Sequence, residues 1–323
     1  MISKNWLLVV GASSVLALGV GACGDDDEGT GSVEGPEGLS GQISLDGSST
    51  VEPFAQAAAE LFNDGNPDVD ISVGAAGTSG GFEKFCAGEI DISNASRPID
   101  EDEEVPVCEE EGIEYSEVQV ANDGLSVVTN PALEISCLTT DQLATLWSDD
   151  SVSNYSELGE DAETGEPLPD IEISLYGPGT DSGTFDYFTD VINGEEALSR
   201  SDYQASEDDN QLVSGVAGDE AGLGYFGFSY YEQNPDQLNL VSVDAGEGCI
   251  EPSPETIQAG DYAPLSRPLF MYPSSDALAR EDVGGFMQFV VDNYDTIAEA
   301  ALYVPMGDTQ AEEAASVVEG GGS

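Results

Sequence analysis

The chain reads as an α/β protein. Three times a short strand-forming run ends in a Gly/Ser/Thr-rich loop and continues into a helical pattern, which points to strand–loop–helix units around a mainly parallel sheet. With 323 residues, 40% of them hydrophobic, it can bury one large core or two ordinary ones and is neither a disordered chain nor a membrane bundle.

Gln42 to Leu45 is the first strand. It runs into Asp46-Gly47-Ser48-Ser49-Thr50, and Pro53 sits where a first helical turn tolerates it, opening an Ala-rich helix from Phe54 to Phe62. The second unit is strand Asp70–Gly74, loop Gly77-Thr78-Ser79-Gly80-Gly81 and helix Phe82–Ala87. Thr140 is an N-cap for a helix over Asp141–Trp147. The third unit is strand Ile171–Tyr176, loop Gly177–Gly183 and helix Thr184–Ile192, stopped by Gly194. Ligands in open α/β sheets bind at the carboxyl ends of strands, where helix N-termini offer unpaired N–H groups and a partial positive charge. Three such loops converging, each with hydroxyls and with glycines that admit close approach, make a site for a small oxyanion.

Charge and composition exclude several functions. The 65 acidic residues face only 6 basic ones, a formal charge of -59, and nucleic-acid binding through a basic surface is not available to such a chain. There is no histidine, so Ser-His-Asp and Cys-His nucleophiles and His-ligated metals are excluded. Gly77 to Gly81 matches the G-x-S-x-G of hydrolases but has no histidine base to serve it. Gly222 to Gly227 matches G-x-G-x-x-G, yet an aromatic, β-rich run follows it, so it reads as a glycine-studded strand. No acidic cluster fits a Ca²⁺ loop. No catalytic residue, metal or cofactor is expected. The excess of acid resembles the surface of a protein adapted to concentrated salt, where self-repulsion is screened.

The N-terminus predicts export. Lys4 precedes an apolar stretch from Trp6 to Leu18, and Val20-Gly21-Ala22-Cys23 resembles a bacterial lipobox. Residues 1–22 are then a lipoprotein signal peptide and Cys23 the lipidated first residue, anchoring the protein to the membrane on its outer side. Residues 23–40, acidic and Gly-rich, read as a flexible tether. The remaining cysteines, Cys86, Cys108, Cys137 and Cys249, allow three pairings, of which Cys86–Cys108 (the closest in sequence) with Cys137–Cys249 is favoured.

Four strings carry a family resemblance. They are Asp46-Gly-Ser-Ser-Thr-Val51; Gly77-Thr-Ser-Gly-Gly-Phe through Ser96-Arg-Pro98; Tyr176-Gly-Pro-Gly-Thr-Asp-Ser-Gly-Thr-Phe-Asp-Tyr-Phe188; and Leu265-Ser-Arg-Pro-Leu-Phe-Met-Tyr272. In this order they resemble the PstS-type phosphate-specific binding proteins of ABC importers, from about Gln42 to Pro305. The resemblance implies a type II periplasmic-binding-protein-like fold: two α/β lobes joined by two crossing strands, with a ligand cleft between them. Lobe 1 would comprise 41–120 and 263–306 and lobe 2 residues 121–262, with 307–323 an acidic, Gly-rich tail. It also implies capture of inorganic phosphate and delivery to ABC permease subunits. Alternatives are another oxyanion such as sulfate or molybdate, or a phosphatase on the same scaffold. By motif position the phosphate ligands are Ser49, Thr50, Val51, Ser79, Ser96, Arg97, Ser182, Gly183 and Thr184. Pro178 stands where some relatives place an arginine and Ser96 near where some place an aspartate. Arg97 is therefore the expected cation, free of a salt bridge to Asp91, while Lys84 points to solvent. Asp46 and Asp181 are the candidates to accept a phosphate proton. Such an acceptor separates phosphate from sulfate, which has no proton to give at neutral pH.

Overall fold

A computed structural model describes residues 33, 35–148, 151–180 and 182–321. In the first part of the chain, strand β1 (Ser40–Gly47) leads to helix α1 (Glu52–Gly65), β2 (Asp68–Val73), α2 (Thr78–Cys86), β3 (Ile92–Ala95), α3 (Val105–Glu111) and the long β4 (Val118–Thr129). There follow β5 (Cys137–Thr139), α4 (Thr140–Ser148), β6 (Ser174–Pro178), α5 (Gly183–Phe188), β7 (Gln204–Ser206), α6 (Asp209–Gly218), β8 (Gly222–Gly227), α7 (Phe228–Glu232), β9 (Asn239–Asp244), β10 (Cys249–Ile250) and α8 (Pro254–Gln258). The chain returns through β11 (Ser266–Pro273) to α9 (Ser275–Leu278), α10 (Glu281–Asp292), α11 (Tyr294–Ala300) and α12 (Asp308–Gly321).

Local chemistry explains the units. Pro53 in the first turn of α1 needs no N–H partner, and Phe54, Ala55, Ala58, Ala59 and Phe62 form its buried face. Ser182 caps α5 by accepting from the Thr184 N–H, a turn of π-helix carries on through Asn193, and Gly194 ends it at a left-handed φ of 83°. The loop after β1 is tight because of two glycines. A Cβ on Gly81 would lie 2.5 Å from the Gly47 Cα, and one on Gly47 2.1 Å from the Asn94 carbonyl oxygen. α2 begins at Thr78, four residues before its apolar face makes it visible in the sequence.

The strands run in the order β2-β1-β3-β11-β4-β8-β6-β7, with β9 on β4 and carrying β5 and β10. The pairs β1–β2, β1–β3, β5–β9, β6–β7 and β6–β8 are parallel. The pairs β11–β3, β11–β4, β4–β8, β4–β9 and β10–β9 are antiparallel. The sheet is therefore mixed, against the expectation of a mainly parallel one. β4 and β11 cross between two cores as an antiparallel pair, and such partners lack the strand–loop–helix pattern by which the parallel units were read. Val304 exchanges backbone hydrogen bonds with Asn122 and adds a third crossing segment.

The two largest cores define two lobes. The first gathers Ile43, Leu45, Phe54, Phe62, Val118, Leu269, Met271, Phe286 and Phe289, with Phe62 edge-on to Phe286 and Phe289 at 5.4 Å. The second centres on Trp147, Tyr155, Phe188 and Tyr225; Phe188 stacks on Tyr225 at 3.8 Å and Trp147 meets it edge-on at 4.7 Å. Disulfides join Cys86 to Cys108 and Cys137 to Cys249.

Both chain ends differ from the sequence reading. The 307–323 segment is not a plain tail: α12 buries Ala314 and Val318 in the first core, an apolar stripe too sparse to read against its acids. The last part of the expected tether also folds. Val33 and Leu39 pack on the same core, and Asn66 holds the segment through the Leu39 N–H (2.9 Å) and the Pro36 carbonyl (2.7 Å). The expected leader and Cys23 lie outside the described residues.

Candidate functional site

A cavity of about 570 Å³ opens between the lobes. The loop after β1 lines it with Ser48, Ser49 and Thr50, the start of α2 with Gly77, Thr78, Ser79 and Gly80, and the loop after β3 with Ser96, Arg97 and Pro98. From the second lobe come Gly183, Asp186, Tyr187, Asp190, Val191 and Glu196, and from the crossing strand β11 come Arg267 and Pro268. The lobes meet at its edge: a Cβ on Gly183 would come within 3.1 Å of the Thr50 Oγ1 and 3.3 Å of the Ser49 Oγ.

Of the residues expected to hold the ligand, Ser49, Thr50, Ser79, Ser96, Arg97 and Gly183 reach this cavity. Three do not line it. Val51 is fully buried and its N–H is taken by the Ser48 carbonyl at 3.1 Å; the turn that exposes Thr50 drives the next side chain inward. Ser182 Oγ accepts from the Thr184 N–H at 3.2 Å as the cap of α5. Thr184 lines a separate, neighbouring cavity.

The charged groups also differ from expectation. Asp46 is not available to a ligand proton. It accepts from the Gly47 N–H (2.8 Å), the Ala76 N–H (2.9 Å) and the Lys84 ammonium. Burial alone would raise its pKa, but the Lys84 hydrogen bond and the two backbone N–H groups outweigh it and hold the carboxyl below its ordinary value. Lys84 accordingly folds onto Asp46, which lies within its reach beneath α2, while its side chain stays partly exposed to solvent. Asp181 lies outside the described residues.

Arg97 is paired, though not with Asp91, which binds Arg280. Its two terminal nitrogens grip Glu104 at 2.9 and 2.8 Å, and one of them also donates to Ser79 Oγ at 3.0 Å. Its side chain remains 42% exposed.

Arg267 is the cation that the sequence reading missed. Its Nε donates to the buried Asp123 of β4 at 3.1 Å, and its Nη2 donates to Thr50 Oγ1 at 2.7 Å. Its guanidinium lies 3.6 Å from the centre of the Tyr187 ring. One side chain thus touches both lobes and both crossing strands. The string Leu265 to Tyr272 contained it, and the signal available was a lone charged residue in a mostly apolar strand. Asp186, also missed, is half-buried on the opposite wall. Burial raises its pKa, Glu196 raises it further, and Arg267 pulls it back. No group of His, Cys, Asp and Glu among the described residues is placed to hold a metal ion.

Two lobes on crossing strands, with hydroxyls, helix N-termini and an arginine converging between them, define a two-lobed binding protein for a small anion. Residues 32–293 match the model of the PBP superfamily domain. Protein SphX of Synechococcus elongatus is 41% identical over 265 residues, covering 82% of this chain and 77% of its own. The phosphate-binding protein PstS of Staphylococcus epidermidis is 39% identical over 310 residues, 93% of this chain and 89% of its own. The crystal structure of a possible phosphate binding protein from Planctomyces limnophilus superposes with a TM-score of 0.80 at 43% identity, over 88% of this chain and 99% of that one. The chain belongs to the PBP superfamily and, within it, to the PstS-type phosphate-binding proteins.

Proposed function

We propose that this protein captures inorganic phosphate in the interlobe cavity and hands it to the membrane subunits of an ABC permease. The observation that carries the reading is Arg267, held by Asp123, donating to Thr50 and stacked on Tyr187 inside a cavity ringed by hydroxyls. A guanidinium can grip two anion oxygens at once, and Ser49, Thr50, Ser79 and Ser96 supply further donors. Arg97, with Ser79, closes the outer side. Gly183 lets the second lobe come close enough to complete the shell.

Asp186 is the carboxylate we assign to the phosphate proton. It faces the cavity, its burial favours sharing a proton, and Asp46 is engaged elsewhere. An acceptor there meets phosphate with a hydrogen bond and fully ionised sulfate with repulsion, which favours phosphate over sulfate and molybdate. A phosphatase has less support: no histidine is present, and the Ser79 hydroxyl accepts from Arg97 with no base among its partners. Isothermal titration in molar KCl with phosphate and then sulfate tests the reading. Saturable phosphate binding with sulfate at least about tenfold weaker is expected; equal affinities, or none for phosphate, would refute it.

The same reading places the protein outside the cytoplasm on a lipid-modified Cys23. Its support is the Val20–Cys23 motif. Cys23→Ser should move the protein from the membrane to the soluble fraction; unchanged fractionation would count against the anchor.

A further inference from the structure

On the far side of the Thr50–Gly183 contact lies a second interlobe cavity of about 440 Å³. Glu60 of α1 and Tyr303, which follows α11, face it from the first lobe, Asp209 and Tyr230 from the second, and Asp123 from β4 between them. It shares Asp123 with the phosphate site, and the Tyr303 hydroxyl donates to the Thr50 carbonyl. The back cavity and the phosphate site are therefore mechanically joined through Thr50, Asp123 and Arg267.

We propose that Asp209 is a proton-sensitive wedge between the lobes: ionised, it opposes their closure, and protonated, it permits it. The argument is one of surroundings. Asp209 is half-buried on the wall of the cavity between the lobes, and the groups around it are almost all acidic or phenolic. Glu207 and Asp208 precede it on its own segment, Tyr230 faces it from α7 and Tyr225 from β8, Asp123 from β4, and Tyr303 and Glu60 across the cavity. Tyr176 of β6 is at the other end of α6, bonded to Asp219, and β7 contributes no titratable group. Asp123 itself is paired with Arg267. The Gly227 backbone N–H is the one group that clearly favours the ionised form. Burial consequently pushes the Asp209 pKa up to about 6 in this arrangement.

On this proposal, separating the lobes withdraws the first-lobe wall of Glu60 and Tyr303 from the cavity, wets the carboxylate and lowers its pKa toward the ordinary carboxylate range. The closed form therefore holds its proton more tightly than the open form. Closing takes up a proton between those two values, so closure is favoured at low pH and that advantage is lost as pH rises through about 6. A full return to the ordinary value would make the Asp209 contribution to phosphate affinity on the order of tenfold greater at pH 5 than at pH 7.5.

The coupling to affinity rests on the phosphate reading; the wedge itself does not, so two measurements separate them. Phosphate titrations at pH 5 and 7.5 compare the wild type with Asp209→Asn, in which the titration of phosphate and of Asp186 is retained. The variant should bind at least about tenfold tighter than wild type at pH 7.5, with the gap narrowing at pH 5. Small-angle scattering of the ligand-free proteins should show the wild type more compact at pH 5 than at pH 7.5 and Asp209→Asn the same at both. Parallel pH profiles for the two proteins, or a wild-type radius of gyration that does not change, overturn the wedge. Failure of both proteins to bind phosphate at any pH overturns the phosphate reading instead, and scattering alone then decides the wedge.

Discussion

Two arginines face the phosphate cavity from opposite settings. Arg97 sits in a first-lobe loop, 42% exposed on its side chain, and Glu104 takes both of its terminal nitrogens. Arg267 sits on a crossing strand, only 15% exposed, with a buried carboxylate behind it and its Nη2 turned to Thr50. The difference teaches that closeness in sequence to a ligand loop does not measure availability to the ligand. A neutralised, solvated guanidinium adds little field to the cavity. One desolvated and oriented by a carboxylate offers its free edge in a fixed direction at little entropic cost.

Replacing the two arginines in parallel gives the largest expected effect. Arg267→Ala removes the only guanidinium among the described residues that is seen to reach both lobes and leaves Asp123 buried without its partner. Phosphate affinity should fall at least about tenfold, since a charge-assisted hydrogen bond contributes about 1.5–3 kcal/mol and each 1.4 kcal/mol is a decade. Arg267→Lys restores the charge but not the two-pronged geometry and should recover only part of the loss. Arg97→Ala should cost no more than a few-fold, and that cost should shrink as KCl is raised, because its exposed side chain is screened. Titration of all three in low and molar salt checks the order. A larger loss at Arg97 than at Arg267 would reverse the comparison.

Asp186→Asn sharpens the comparison from the opposite wall, and its effect should be mainly on selectivity. The carboxamide still hydrogen-bonds but no longer repels a fully ionised anion, so sulfate should gain about tenfold relative to phosphate. Competition titrations at pH 7.5 read this ratio, and an unchanged ratio would remove Asp186 from the role of proton acceptor.

How much of this was legible in the sequence follows from what kind of interaction sets each feature. The strand–loop–helix units could be read because each is local: Pro53, Ser182 and Gly194 start or stop helices through chemistry within a few residues. The oxyanion loops could be read for the same reason, and six of the nine expected ligand residues line the cavity. The antiparallel crossing of β4 and β11 could not, since strands 144 residues apart, as at Asp123 and Arg267, pair without leaving a periodic mark on either. The Asp46–Lys84 and Arg97–Glu104 pairs were hidden because both depend on how α2 and the loop after β3 fold back. Val51 shows the limit most plainly. Motif position put its backbone N–H beside Thr50 in the ligand shell, but the tight turn commits that N–H to the Ser48 carbonyl.

The smallest predicted effect tests whether the contact between lobes is as tight as the cavity's edge suggests. Gly183 has no left-handed backbone to protect, so alanine there brings no conformational strain, only a methyl group. That methyl would lie 3.1 Å from the Thr50 Oγ1 and 3.3 Å from the Ser49 Oγ. Carbon–oxygen approaches this close require one side to yield by a few tenths of an ångström. Thr50 cannot yield freely, because Arg267 donates to its hydroxyl and Tyr303 to its carbonyl. The displacement therefore falls on the lobes, which would stop slightly short of full closure. Gly183→Ala should weaken phosphate binding by about two- to fivefold, a loss of under about 1 kcal/mol. Because the contact joins two lobes with separate cores, the melting temperature of the ligand-free protein should not change. If affinity is untouched while melting falls, Gly183 serves the start of α5 and not the approach of the second lobe to Thr50, and the edge of the cavity is looser than its distances imply.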